Sequence, residues 1–145
     1  MSLINQTKLL LMQKFFFIRT DGRYIKINFN DILYIEGCKN YSRIVTEKKN
    51  YLVLITMKRM EQVLPAQLFL RIHKSYIISL DKITEFSRNT VLLRESVPPG
   101  KEKLLPIGQQ YKGQLERTVN IVSDERFDQL MAVPVAYLTQ KAYAG

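Results

Sequence analysis

The chain has 145 residues, 46% of them hydrophobic, and a formal charge of +9, which fits one basic domain long enough to bury a core. Its single cysteine, Cys38, excludes an internal disulfide and a cysteine-based zinc site, and its single histidine excludes a multi-histidine metal site. We therefore expect no cofactor. The apolar run at residues 9–12 is too short to cross a bilayer, and no small-residue cleavage site follows it, which predicts a soluble cytoplasmic protein without a membrane partner.

The positive charge is concentrated in one part of the chain. Residues 14–112 contain 18 Lys and Arg against 9 Asp and Glu, a difference of +9, whereas residues 113–145 contain 3 against 4, a difference of −1. A domain this basic has a polyanion as its expected partner, which means DNA, RNA or an acidic membrane surface.

Short segments with the composition of strands follow one another, separated by turn residues. Asp21-Gly22 is a strong hairpin signal between residues 14–19, which are rich in aromatic residues, and residues 23–28, which alternate like a half-buried strand. Further strands are predicted at residues 32–36, 42–46, 51–55, 82–87, 91–95 and 104–107. We expect a mainly β fold of about eight short strands in packed antiparallel sheets, with one or two short helices.

Two helices are predicted. The first follows Thr56, a good N-cap residue, and ends at Pro65. Its apolar face would consist of Met57, Met60, Val63 and Leu64. The second spans residues 108–122, where apolar residues at spacings of four, four and three form one stripe. The stripe consists of Tyr111, Leu115, Val119 and Val122. Residues 1–13 are interpreted as a linker or disordered segment, residues 14–122 as the domain, and residues 123–145 as a C-terminal tail.

The central stretch FLRIHKSYIISLD, residues 69–81, contains the only histidine. Its apolar residues would fix it in a core, whereas its polar residues are grouped as His73-Lys74-Ser75. This pattern predicts a strand, a tight polar turn and a second strand, with the turn lifted out of the body of the domain. A basic, hydrogen-bonding triplet on a rigid base suits the binding of an anion or the reading of a base edge.

Three stretches together resemble the LytTR DNA-binding domain, the output module of many bacterial response regulators. They are DILYIEGCKNYSRIV at residues 31–45, FLRIHKSYIISLDKI at residues 69–83 and LLPIGQQYKGQL at residues 104–115. They occur in the family's order and at about its spacing, and the resemblance covers residues 14–119. It implies a mostly β domain whose loops and turns, not a recognition helix, enter successive major grooves on one face of the duplex.

The resemblance also implies which residues contact DNA. Carried over residue by residue, the DNA-binding set is Lys39, Asn40, Tyr41, His73, Lys74, Gln109 and Gln110, with Lys112, Arg88 and Lys101 as candidate phosphate contacts. Many family members have arginine where this chain has Gln109. Glutamine reads adenine edges, whereas arginine prefers guanine, so this departure is expected to alter the sequence preference.

Structural roles stay open for several of these residues. Asn40 would suit a left-handed turn position, and Tyr41 would suit a core. A lone histidine such as His73 is more often a buried, hydrogen-bonded core residue than a functional one. Tyr111 is more typical of a packing residue.

Taken together, the sequence predicts a cytoplasmic bacterial transcription regulator that binds double-stranded DNA at direct-repeat or paired half-sites and is a monomer or weak dimer off DNA. The resemblance implies an upstream receiver domain and a cognate histidine kinase as possible partners. No nucleophile motif, phosphate-binding glycine loop or paired metal carboxylates favour an enzyme. An RNA-binding β module is the alternative, and it would show aromatic residues on an exposed sheet face. A membrane-surface protein would need a basic amphipathic helix.

Overall fold

Short strands and tight turns dominate the structure. The computed structural model describes residues 13–95, 101–124 and 126, where ten strands form three antiparallel sheets. The strands are β1 (Phe15–Thr20), β2 (Arg23–Asn28), β3 (Ile32–Cys38), β4 (Tyr41–Thr46), β5 (Asn50–Val53), β6 (Phe69–His73), β7 (Tyr76–Ser79), β8 (Ile83–Phe86), β9 (Thr90–Glu95) and β10 (Lys101–Pro106). The helices in these residues are α1 (Met57–Val63) and α2 (Gln114–Thr118), with 3-10 helices η1 (Phe29–Asp31), η2 (Leu80–Lys82) and η3 (Gln109–Tyr111). The predicted mainly β fold of short antiparallel strands is confirmed.

The first hairpin joins β1 and β2 as a separate two-stranded sheet. Its turn residues Asp21 and Gly22 have φ angles of 50° and 72°. Both values lie in the left-handed region that a two-residue turn of this hand requires, and Gly22 adopts it without steric strain. The hairpin predicted from Asp21-Gly22 is therefore confirmed.

A five-stranded sheet in the order β5-β4-β3-β7-β6 forms the centre of the fold. Its β6 and β7 are the two strands predicted inside residues 69–81. Ile72 and Ile77 are 2% and 1% exposed, so this stretch is fixed in the core as predicted. The main core cluster contains Ile77 together with Ile32, Ile35, Ile44, Met60 and Phe69.

The helix α1 begins where the sequence predicted. The Thr56 hydroxyl accepts a hydrogen bond from the Arg59 backbone N–H at 3.2 Å, which caps the first turn. Met57, Met60 and Leu64 are buried, but the prediction for Val63 is wrong, because this side chain is 41% exposed. At 100° per residue Val63 falls about 60° beyond the edge of the buried stripe.

The predicted helix over residues 108–122 is wrong in its extent. The chain forms the 3-10 helix η3, then a turn, and then the short α2. Gly113 between them has a φ of 86°, which interrupts any right-handed helix. Of the predicted apolar stripe Leu115 is buried, whereas Val122 is 99% exposed.

The chain divides into two compact units, Met1–Leu115 and Glu116–Gly145. All three sheets belong to the first unit. Residues 1–12 of the predicted linker and most of the predicted tail, residues 123–145, lie outside the described residues. Within the part of the chain that the structure describes, no helix is both long and apolar enough to cross a membrane.

Candidate nucleic-acid interface

Two hairpin turns lie side by side at one end of the five-stranded sheet. The strands β3 and β7 are antiparallel neighbours, with Glu36 opposite Tyr76. Beyond this pair the Gly37 N–H donates to the Ser75 carbonyl at 2.8 Å. Since β3 ends where β7 begins, the β3–β4 turn at residues 39–40 and the β6–β7 turn at residues 74–75 project from the same end of the sheet.

The 3-10 helix η3 comes against the β6–β7 turn from a distant part of the chain. The Gly108 N–H donates to the Ile72 carbonyl at 2.8 Å, directly before the turn. A Cβ at Gly108 would lie 3.2 Å from Tyr111 Cδ2 and 3.4 Å from His73 Cδ2, so glycine permits the close approach. The result is a cleft of about 280 Å³. It is lined by His73, Lys74, Gly108, Gln109, Gln110 and Tyr111.

The structure therefore brings together two of the three predicted contact regions in one cleft. Lys74, Gln109 and Gln110 are exposed there. The third region, Lys39, Asn40 and Tyr41, lies at the same end of the sheet and is exposed, but it does not line the cleft.

His73 is half-buried, not a core residue. Its Nδ1 accepts the Ser75 backbone N–H at 3.0 Å, and its ring centroid lies 5.4 Å from that of Tyr76. Because Nδ1 is an acceptor, the neutral imidazole carries its proton on Nε2. The hydrogen bond at Nδ1 orients the ring within the turn. No described residue hydrogen-bonds Nε2, so this N–H donor is unpaired.

Arg71 fixes the conformation of the β6–β7 turn, a role that the sequence analysis missed. Its Nε donates to the His73 carbonyl at 3.2 Å and its second terminal nitrogen donates to the Lys74 carbonyl at 2.6 Å. Its remaining nitrogen pairs with Glu61 at 3.1 Å, and its guanidinium carbon lies 5.9 Å from the Tyr111 ring centroid. One planar group thus connects the turn, α1 and η3. The available signal was an arginine two residues before the histidine in an otherwise apolar strand.

The β3–β4 turn differs in detail from its predicted form. The left-handed residue is Lys39, with a φ of 58°, and not Asn40. Tyr41 is 42% exposed, which makes the core interpretation of this residue wrong. The side chains of all three turn residues are therefore available to a ligand.

Lys112 is held differently from the other predicted contacts. Its ammonium donates to Asn89 Oδ1 at 2.6 Å, and the Asn89 carbonyl accepts the Ile107 N–H at 2.8 Å. These bonds connect the β8–β9 turn to the residues on both sides of η3. The half-buried Lys112 side chain is thus a structural link as well as a positive charge.

Tyr76 lies beneath both hairpin turns and remains a neutral hydroxyl. Burial raises its pKa, and the nearby charge of Glu36 and the hydrogen bond to Glu36 at 3.4 Å raise it further. Arg43 pairs with the same carboxylate at 3.0 Å. The only acidic side chain in this group is therefore already paired, which leaves the exposed turns with Lys39 and Lys74 as their charged groups.

The LytTr DNA-binding domain family matches residues 22–120, a range that contains both hairpin turns and η3. The chain belongs to the LytTR family. This family is one of DNA-binding domains, which is not an enzyme class. Within the described residues, no group of three or more His, Cys, Asp or Glu could hold a metal ion.

Two relatives of this LytTR domain are transcriptional regulators. The heme-containing CO-sensing transcriptional regulator RcoM 2 of Paraburkholderia xenovorans is 26% identical over 101 residues, which are 70% of this chain and 38% of that protein. The transcriptional regulatory protein YpdB of Escherichia coli K12 is 31% identical over 77 residues, which are 51% of this chain and 32% of that protein. The chain thus spans less than two fifths of either relative.

A solved LytTr DNA-binding domain from Bacillus cereus supports the fold. The superposition has a TM-score of 0.59 at 19% identity, and it covers 75% of this chain and 99% of the Bacillus cereus domain. The three-sheet arrangement is therefore the fold of the family.

Proposed function

We propose that this LytTR domain binds duplex DNA in a sequence-specific manner and regulates transcription, with the β3–β4 turn, the β6–β7 turn and η3 as its contact elements. The observation that carries the proposal is the cleft in which His73-Lys74 and Gln109-Gln110 converge although they are about 35 residues apart in sequence. Each of these elements, a tight turn or a short helix, is narrow enough to enter a major groove about 12 Å wide.

The exposed groups match the hydrogen-bonding pattern of base edges. The Nε2–H of His73 and the ammonium of Lys74 are donors, and the major-groove edge of guanine offers two acceptors. The side-chain amides of Gln109 and Gln110 pair with the donor and acceptor of adenine. We therefore expect guanine to be favoured opposite the β6–β7 turn and adenine opposite η3.

Phosphate contacts supply the remaining affinity. Lys39, Arg88 and Lys101 are exposed, and Lys112 adds charge beside η3. Contacts of this type carry no sequence information, but they fix the position of the protein on the duplex. They also make binding strongly dependent on salt, because each neutralised phosphate releases counterions.

The family supports a wider setting for the domain. We propose that it acts in a bacterial cytoplasm, binds two direct-repeat or paired half-sites, and dimerises weakly or not at all without DNA. A receiver domain upstream and a cognate histidine kinase are the proposed partners of the longer protein.

Selection of binding sites from a randomised duplex pool tests the proposal. The selected operator is then titrated with wild type, Lys74→Ala and Lys48→Ala. Lys48 lies in the β4–β5 turn, at the opposite end of β4, and is equally exposed. Both substitutions remove one positive charge, but only Lys74→Ala should weaken operator binding markedly. Equal effects of the two, or failure to select any sequence, would contradict the proposed interface.

A further inference from the structure

The hairpin of β1 and β2 has one buried face and one exposed face. Residues directly opposite each other in the register share a face, and the face of Phe16, Ile18, Ile25 and Ile27 packs against the core. The other face consists of Phe15, Phe17, Arg19, Tyr24, Lys26 and Asn28. Three of these six side chains are aromatic, and Phe15, Phe17 and Tyr24 are 36%, 54% and 69% exposed.

This outer face combines aromatic rings with positive charge. Lys26 Nζ lies 4.1 Å from the Phe15 ring centroid, and the Arg19 guanidinium carbon lies 5.7 Å from the Tyr24 ring centroid. None of the six residues is acidic. The face is separate from the cleft at η3, since the two share no residue.

The two most exposed aromatic rings of this face, Phe17 and Tyr24, are diagonal neighbours, because Phe17 is opposite Lys26 and Tyr24 is opposite Arg19. Phe17 packs edge-to-face on Phe15, with ring centroids 5.9 Å apart. Since Phe17 and Tyr24 are nevertheless 54% and 69% exposed, each keeps accessible surface on which a planar group can stack.

The chemistry of the face selects one class of occupant. A second copy of the chain would place Arg19 and Lys26 against the same cations, in a protein whose net charge is already +9. A duplex hides the faces of its bases within its own stack. A single strand offers unstacked bases to the rings and phosphates to the cations, which is the way proteins bind single-stranded nucleic acid.

We propose that the outer face of the β1–β2 hairpin binds single-stranded DNA or RNA, with bases stacked on Phe17 and Tyr24 and phosphates bound by Arg19 and Lys26. This site is distinct from the duplex-binding surface. With two open rings it accommodates only a few nucleotides and has little preference for sequence, because every base has a π face.

The chain has no tryptophan, which allows a direct test. Tyr24→Trp introduces a single tryptophan, which can be excited selectively, at the proposed stacking position, and Leu104→Trp introduces one at a 60% exposed site in another sheet. The full chain is titrated with dT12, U12 and an abasic 12-mer with the same number of phosphates. We expect saturable quenching of Tyr24→Trp by dT12 or U12, weaker binding of the abasic strand by at least about tenfold, and no such quenching of Leu104→Trp. The relative affinities of dT12 and U12 show which nucleic acid is preferred.

The affinity for dT12, the affinity for the operator and the melting temperature are also measured on a second pair of variants, which contain no tryptophan. Phe17→Leu and Tyr24→Leu keep an apolar strand residue, and each should weaken dT12 binding about tenfold without changing operator binding. Quenching that is equal for both tryptophans, or equal binding of dT12 and the abasic strand, would overturn the proposal. The proposal would also be overturned if sedimentation showed that the wild type is a dimer and that Tyr24→Leu is a monomer. Binding of anionic vesicles and not of oligonucleotides would overturn it as well. If the leucine variants only lower the melting temperature, the ring–cation pairs serve the hairpin itself, and the proposal fails.

Discussion

Arg71 should control DNA binding although we expect it to contact no base. Its guanidinium holds the carbonyls of His73 and Lys74 and lies against Tyr111, so it sets the shape of the β6–β7 turn and its position beside η3. Arg71→Lys keeps the charge but loses the planar fork that reaches both carbonyls at once. Arg71→Ala removes all of these contacts.

The size of the effect follows from the exposure of each partner. Glu61 has 50% of its side chain exposed, so its ion pair with Arg71 contributes at most about 1 kcal/mol to folding. The Arg71 side chain is only 16% exposed, and hydrogen bonds from a charged donor contribute about 1.5–3 kcal/mol each. Carbonyls released in a surface turn are hydrated again, which returns part of this free energy. We therefore expect Arg71→Ala to lower the free energy of unfolding by about 2 kcal/mol and Arg71→Lys to lower it by about half as much.

The effect on DNA binding should be comparable in size to the effect on folding. A turn that no longer presents His73 and Lys74 loses its base contacts, at about 1–3 kcal/mol, which is a factor of about 5 to 150 in Kd. Fluorescence anisotropy with the selected operator and thermal unfolding measure the two effects on the same samples. Arg59→Lys, an exposed arginine on α1, is the charge-matched control. If Arg71→Lys binds the operator as tightly as wild type and Arg59→Lys, the assignment of Arg71 as the residue that positions the turn is wrong.

Three further predictions concern the same strand pair. His73→Ala should weaken specific binding by about 1–3 kcal/mol and hardly change the melting temperature, because the ring is half-buried at the edge of the sheet; normal operator binding would refute the role of this side chain. Lys74→Ala should reduce the slope of log affinity against log salt by about one unit if the ammonium neutralises a phosphate, as a salt titration would show. Ile77→Ala should leave the binding of the folded fraction unchanged and lower the free energy of unfolding by about 2–5 kcal/mol in chemical denaturation, because Ile77 is 1% exposed.

Local turn chemistry made much of the fold predictable from the sequence. Asp21-Gly22 predicted a hairpin because few residues tolerate two left-handed positions in succession, and both φ angles are positive. The polar triplet at residues 73–75 predicted a raised turn because its neighbours are apolar on both sides. The family resemblance predicted the other two contact regions, which no local pattern would have joined.

The remaining differences arise where periodicity and composition say too little about the local backbone or about the direction of a side chain. Periodicity predicted one helix over residues 108–122, but the left-handed Gly113 divides it. Composition also does not indicate the direction of a guanidinium group, so the role of Arg71 in holding the β6–β7 turn could not be predicted. The run of three phenylalanines at residues 15–17 has no polar alternation to mark a buried face, so the sequence did not indicate that Phe15 and Phe17 would be 36% and 54% exposed.

A scan of the selected operator with base analogues tests the central claim most directly. Each purine is replaced in turn by its 7-deaza form, which lacks the N7 acceptor in the major groove but retains Watson–Crick pairing. We expect a loss of about 1–3 kcal/mol at a few positions with wild type, and we expect His73→Ala to be insensitive at one of these positions, since the two changes then remove the same contact. If no 7-deaza position weakens binding, or if His73→Ala and the analogues act additively everywhere, the turns of this domain do not read the major groove.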